Sequence, residues 1–329
     1  MKLRKLGTKR GGVQLTMNEL IALIIVIISF LVLLGFWYFL GFEHQINGWW
    51  CHFSVILRGT LNQIDFLTGN AGKYIPISCQ TEKVCIGMGG GGCKGMIGTS
   101  KNPIKEVKVS GDDVQVQGKI LEKIAESMYE CNSALGEGKV NWGEGKISSQ
   151  NYCVICSRIG FDSEVQDKID NIPYSQIFYT LQEKKDSREN SYLSQIYPGV
   201  NSWLETKQSQ QKIIEENSEY KNSLKDENND GKIDVDDWMI DLDNENGYVI
   251  VSQLAKPGYI KELVGTVAVT GLALTVVGAP VAVLAAGGIA IWYNNKIGNS
   301  EYSYQPPALV KFDIKELNNL KCTEFASIP

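Results

Sequence analysis

Hydrophobic and polar positions divide this chain into two uncharged blocks and a mixed stretch between them. Residues 20–42 read LIALIIVIISFLVLLGFWYFLGF, without a charge. As a helix rising 1.5 Å per residue they reach about 34 Å, enough for a hydrocarbon core of about 30 Å. Residues 263–293 form the second uncharged block, rich in Gly, Ala and Val. As one helix it would reach about 46 Å. Pro280 near its middle suggests a kink or turn, and its small residues allow close helix packing in a bilayer. Three readings stay open for this block: a second transmembrane helix, a hairpin that enters a bilayer without crossing it, and a buried core segment.

The intervening stretch carries shorter periods. Residues 43–67 read as an amphipathic helix lying along a membrane surface. Ile75–Ser78, Lys83–Ile86 and Ile104–Val109 read as short strands. Val114–Leu135 reads as a helix, with Ile120, Leu121, Ile124, Ala125, Met128 and Tyr129 at the spacing of a buried stripe. Residues 162–225 read as several helices, one of which Pro173 can start, and Val200–Leu224 contains a long polar one. The Gly-Glu-Gly-Lys repeats at 136–139 and 143–146 read as turns. Ala308–Phe312 reads as a strand and Ile314–Leu320 as a short helix. The fold class expected is α+β, with an N-terminal transmembrane helix, a disulfide-stabilised extracytoplasmic domain and a second hydrophobic segment. The division expected is a basic leader at 1–12, an anchor at 13–42 and a cysteine-rich α+β region at 43–160. A mainly helical acidic lobe at 161–258, the hydrophobic segment at 259–293 and a tail at 294–329 packing on the cysteine-rich region complete it.

Charge sets orientation. Lys2, Arg4, Lys5, Lys9 and Arg10 precede the first block, with no acid among residues 1–12. Basic residues stay in the cytosol, which puts the bulk of the chain on the far side of the membrane. Trp37, Tyr38, Trp49 and Trp50 fit an aromatic belt at the outer interface. A cleaved secretory signal has a shorter apolar run and a small-residue cleavage site, and Phe39-Leu40-Gly41-Phe42 offers none. The net charge of −5 gives no overall attraction to nucleic acid.

Lys9-Arg10-Gly11-Gly12, a short polar stretch holding Glu19, and then the apolar helix resemble the class III signal of archaeal type IV pilin-like surface proteins. The resemblance covers about 35 residues. It implies cleavage after Gly12 on the cytosolic side, a mature chain beginning at Val13, and a retained helix.

Eight cysteines, Cys51, Cys79, Cys85, Cys93, Cys131, Cys153, Cys156 and Cys322, stand beside this export signal and suggest a disulfide framework of undetermined connectivity. Cys153 and Cys156 form the only C-x-x-C. Structural disulfides, reduced thiols, half of a zinc site with Cys79 and Cys85, and a redox pair are the alternatives. In a strand the two side chains face opposite ways, which gives them different partners. Gly87 to Gly92 between Cys85 and Cys93 reads as a disulfide-flanked loop. No Gly-Lys pair is followed by Ser or Thr, so it is no phosphate loop.

The clearest chemical motif is Asp226-Glu227-Asn228-Asn229-Asp230-Gly231-Lys232-Ile233-Asp234-Val235-Asp236-Asp237. Oxygens at alternating positions converge on a calcium ion, and the glycine permits the sharp turn. Asp226, Asn228, Asp230 and Asp237 are the expected side-chain ligands, with the Lys232 carbonyl and Asp234 directly or through water. Its first six positions match an EF-hand loop, but Asp237 stands at the twelfth where an EF-hand has Glu, and the loop resembles instead the calcium loop of dockerins. Asp241–Gly247 makes a poor second copy, so one structural calcium is expected.

His44 and His52 are the only histidines, and no G-x-S-x-G or H-E-x-x-H pattern occurs. No enzyme is expected. The reading is a membrane-anchored cell-surface structural or interaction protein with a pilin-like start and a calcium-stabilised ectodomain. Its partners are the lipid bilayer and other surface proteins or copies of itself. A membrane-active fusion or pore-forming protein, using 263–293, is the alternative.

Overall fold

The computed structural model describes residues 26–27, 29–30, 46–63, 79–89, 91–100, 102–140, 151–198, 200, 202, 204, 211, 231–232, 239–255, 281–285, 288–292, 295–296, 303–314, 317, 320, 322 and 324–326. Met1–Ile46 and Asn47–Pro329 are separate compact units. In the first, Val26, Ile27, Ser29 and Phe30 are helical, and the apolar three are exposed. The rest of the anchor at 20–42 lies outside the described residues. Among those, no helix is long and apolar enough to cross a membrane.

The second unit is mixed α+β. Helix α1 spans Ile46–Gln63, within the stretch where an amphipathic helix is expected. Strands β1 (Glu82–Gly87) and β2 (Ile104–Lys108) follow, then helix α2 (Asp113–Ala134). Asp112 caps α2 by accepting from the Gln115 N–H at 2.9 Å. The predicted stripe of α2 is buried except for Tyr129, which is half-buried, and Ile120, Ile124 and Ala125 are fully inaccessible. Strand β3 (Asn151–Phe161) leads through α3 (Ser163–Lys168), β4 (Asn171–Pro173), α4 (Ser175–Glu183) and α5 (Tyr192–Ile196). Pro173 ends β4, and α4 starts two residues later.

Strands β5 (Met239–Asp241) and β6 (Tyr248–Ala255) lie inside the stretch read as mainly helical. β7 (Val281–Ala285) and β8 (Gly288–Trp292) form an antiparallel pair in which Ala285 faces Gly288. A single helix therefore does not run through residues 281–292. Val, Ile and Leu favour an extended backbone in both strands. β9 (Asn295–Lys296), β10 (Ser303–Lys311) and β11 (Glu324–Ala326) complete the order.

The main sheet runs β2-β1-β3-β6-β10-β9, with β11 also on β3. β2, β1, β3 and β11 are parallel, and β6, β10 and β9 are added antiparallel. Parallel strands need long crossovers, and α2 lies in the one that leads from β2 past β1 to β3. One sheet face, with Val154, Ile159, Ile250 and Leu309, packs on α2, α4 and α5 in the larger core. The other, with Cys153, Ile155, Val249, Val251 and Val310, is covered by Phe312, Leu317 and Leu320 of the tail. The strand Ile75–Ser78, the repeat at 143–146 and most of the calcium loop lie outside the described residues.

Candidate functional site

Four disulfides close all eight cysteines: Cys51–Cys79, Cys85–Cys93, Cys131–Cys156 and Cys153–Cys322. The two C-x-x-C sulfurs go to different partners on opposite faces of β3, as a strand requires. Cys156 ties β3 to α2, and Cys153 ties it to the tail. Neither is available to bind zinc or to form a redox pair with the other.

The glycine loop leaves β1 at the carboxyl edge of the parallel strands. Asp162, 1% exposed, sits beneath it. Its Oδ2 accepts the Met88 N–H at 2.9 Å, and its Oδ1 accepts the Val165 N–H at 2.9 Å, capping α3. A Cβ on Gly87 would lie 2.8 Å from the Asp162 Cγ, and one on Gly89 would lie 2.5 Å from a Glu164 carboxylate oxygen. Those two glycines permit the close approach. Two carboxylates under the loop repel phosphate, which agrees with the missing Gly-Lys-Ser/Thr pattern. Asp162-Ser163-Glu164 is a readable helix start, and the sequence reading passed over it.

A second constellation was also missed. Tyr174 donates to the Leu309 carbonyl, and Tyr197 donates to the Pro307 carbonyl at 2.9 Å. Tyr304 donates to Asn132 Oδ1 at 2.9 Å, and Ser252 donates to the Gln305 carbonyl at 2.7 Å. These bonds surround a bulge in β10 between Gln305 and Ala308, where Pro306 and Pro307 have no N–H to give the ladder. Tyr248 belongs to the same core and exchanges bonds with the Asp241 backbone. Burial holds all four phenols neutral, with their pKa pushed well above the usual tyrosine range. They are fasteners of the fold and carry no acid–base chemistry at physiological pH.

On the opposite face Cys153, Gln253 and Gln305 lie side by side across β3, β6 and β10. Both glutamines are buried, and Gln253 Oε1, Gln305 Oε1 and Gln305 Nε2 find no hydrogen-bond partner among the described residues. His52, the one described imidazole, has its Nδ1 2.7 Å from the Ser133 carbonyl near the end of α2.

Of the expected calcium ligands, Asp226, Asn228, Asp230, Asp234 and Asp237 lie outside the described residues. Lys232 is exposed, and Gly231 has φ of 80°, the left-handed conformation. In the poor second copy, Asp241 Oδ1 accepts the Asp243 N–H at 3.1 Å and Oδ2 lies 3.5 Å from the Lys311 ammonium. Among the described residues no group of three or more His, Cys, Asp or Glu side chains is placed to hold a metal.

No family model matches this sequence, and no curated protein and no solved structure shows a significant match to it.

Proposed function

We propose that this chain is a membrane-anchored cell-surface protein of structural or interaction type, with a pilin-like start, whose ectodomain is held by disulfides and one calcium ion. The observation that carries the reading is the closure of all eight cysteines in four disulfides. Such a framework belongs to an oxidising compartment. The basic leader followed by the uncharged run at 20–42 supplies the anchor and orientation. Exposed Val26, Ile27 and Phe30 on a helix favour a lipid environment for that run. The left-handed Gly231 suits the sixth place of a calcium loop, where the backbone turns sharply.

Protease treatment of intact cells tests the topology. The expected result is release of the disulfide-bonded fragment from outside, with Val13 as the first residue of the membrane-bound remainder by mass spectrometry. Protection of Asn47–Pro329 from external protease rules the reading out. A chelator should lower the thermal midpoint of the purified chain, calcium should restore it, and Asp230→Ala should abolish the response. Equal midpoints with and without calcium remove the metal from the reading.

A further inference from the structure

We propose that Tyr129 and Tyr192 form an oxidative coupling site, where a one-electron oxidant of the peroxide–peroxidase class joins the two phenols into a dityrosine bridge. Tyr129 stands on α2, and Tyr192 opens α5. Their rings stack face to face, with centroids 4.0 Å apart and planes 8° from parallel. Both are half-buried against the larger core, so solvent reaches them. Tyr174, Tyr197, Tyr248 and Tyr304 are at most 4% exposed, beyond the reach of a dissolved oxidant. The ring neighbours of Tyr197 and Tyr248 are Phe178 and Phe161, which have no phenol to oxidise.

The chemistry balances without a further partner. Burial, then the carboxylates of Asp186 and Glu137 beside Tyr129, and of Glu126, Glu130 and Asp186 beside Tyr192, raise both phenol pKa values. Each ring is therefore a neutral phenol at physiological pH and gives up its electron together with its O–H proton, which leaves to solvent. The two phenoxyl radicals pair their electrons in a new bond between one ortho carbon of each ring. The faces are already in van der Waals contact, which is the approach that this bond needs. Each ortho C–H then breaks, an O–H re-forms on the same ring, and both rings are phenols again. The two electrons and two protons reduce hydrogen peroxide, whose O–O bond breaks to give two waters.

Both backbones are fixed before any oxidant arrives. Cys131, next but one after Tyr129, is bridged to Cys156 of β3. The Tyr192 N–H donates to the Lys184 carbonyl at 2.9 Å. Ser191 caps α5 by accepting the Ser194 N–H at 3.2 Å. Coupling within one chain therefore has the advantage of proximity over coupling between chains. If exposure alone decided the outcome, Tyr179, 49% exposed, would couple first, and between copies.

The test treats the full chain in detergent, dilute and with its disulfides intact, with a peroxidase and limiting hydrogen peroxide. Dityrosine fluorescence should appear in the monomer on a denaturing gel. Peptide mapping should recover the Tyr129 and Tyr192 peptides joined, lighter than their sum by two hydrogen atoms. Tyr129→Phe and Tyr192→Phe keep both rings but remove one phenol, and each should abolish the monomer signal. Tyr179→Phe should leave it unchanged. Circular dichroism checks that the altered chains fold, and should either fail, peptide mapping of the unaltered chain decides the matter. Dityrosine found only in dimers, or only at Tyr179, overturns the proposal. So does a monomer signal that survives Tyr129→Phe, or peroxide consumed without any dityrosine.

Discussion

Asp162 and Met88 stand 74 residues apart and are joined by one hydrogen bond, from the Met88 N–H to Asp162 Oδ2 at 2.9 Å. The same carboxylate caps α3 through Val165. One buried side chain therefore fixes both the exit from β1 and the start of the helix after β3. Asp162→Ala removes a helix cap and leaves a partly buried amide unpaired. The expected cost is about 2–4 kcal/mol. Asp162→Asn keeps one acceptor oxygen and should cost less. Denaturant unfolding with the disulfides intact measures both, and an Asp162→Ala chain as stable as the parent contradicts the assignment.

Gln253 and Gln305 give a prediction of opposite sign. Their amides are buried on β6 and β10 with three polar atoms unmatched among the described residues. Replacing buried polar partners by apolar groups of similar shape is neutral or stabilising. The double change Gln253→Leu with Gln305→Leu should hold or raise stability, by up to about 2 kcal/mol. A fall in the denaturation midpoint would mean that the amides have hydrogen bonds in solution, through ordered water.

Much of this frame was readable, and the unread parts have physical reasons. Helix α2 announces itself by a 3.6-residue stripe. β1 and β2 fall within a residue or two of where short β-branched runs place them. The divergent partners of Cys153 and Cys156 follow from strand geometry. β6 did not declare itself, although Tyr248-Val249-Ile250-Val251 follows an Asn-Gly turn. From Tyr248 to Leu254 every residue is buried, because both faces of the strand are covered, and a strand covered on both faces has no alternation to read. The 281–292 hairpin was obscure for a related reason: an uncharged Val/Ala/Gly run fits helix, strand and membrane span alike. The bond between Asp162 and Met88, and those of Tyr174, Tyr197 and Tyr304, join partners far along the chain, a relation no local period contains.

The tyrosine cluster predicts alkaline lability. Tyr174, Tyr197, Tyr248 and Tyr304 have folded-state pKa values raised by burial above the unfolded value of about 10. Below that pH both states hold the protons and stability is unaffected. Above it the unfolded chain loses protons that the folded chain keeps, so stability is lost as pH rises. Four such groups give a slope of about −5 kcal/mol per pH unit. Tyrosinate absorbance should appear in step with loss of circular dichroism. Tyr197→Phe should reduce the slope by about a quarter and also release the Pro307 carbonyl. Gradual titration of these tyrosines in a folded chain would contradict their burial.

The two most unequal disulfides make the last test. Cys85–Cys93 closes a loop with a sequence separation of 8, and Cys153–Cys322 closes one of 169. In the chain-entropy account the restriction of the unfolded state grows with the logarithm of loop length. Taken singly, the short bridge contributes about 2.5 kcal/mol and the long one about 5 kcal/mol. The long bridge also holds the tail residues Leu317 and Leu320 over the second core, and Cys153 is itself fully buried. Replacing Cys153 and Cys322 by alanine should therefore cost more than replacing Cys85 and Cys93, and it should loosen the tail first. Hydrogen exchange is expected to rise at Glu324–Ala326 before it rises in β1 or α2. In the Cys85/Cys93 pair the change should stay local to the glycine loop, where Asp162 still grips Met88. Equal losses from both pairs, or a tail that keeps its protection without Cys322, would show that β11 is held by its ladder with β3 alone.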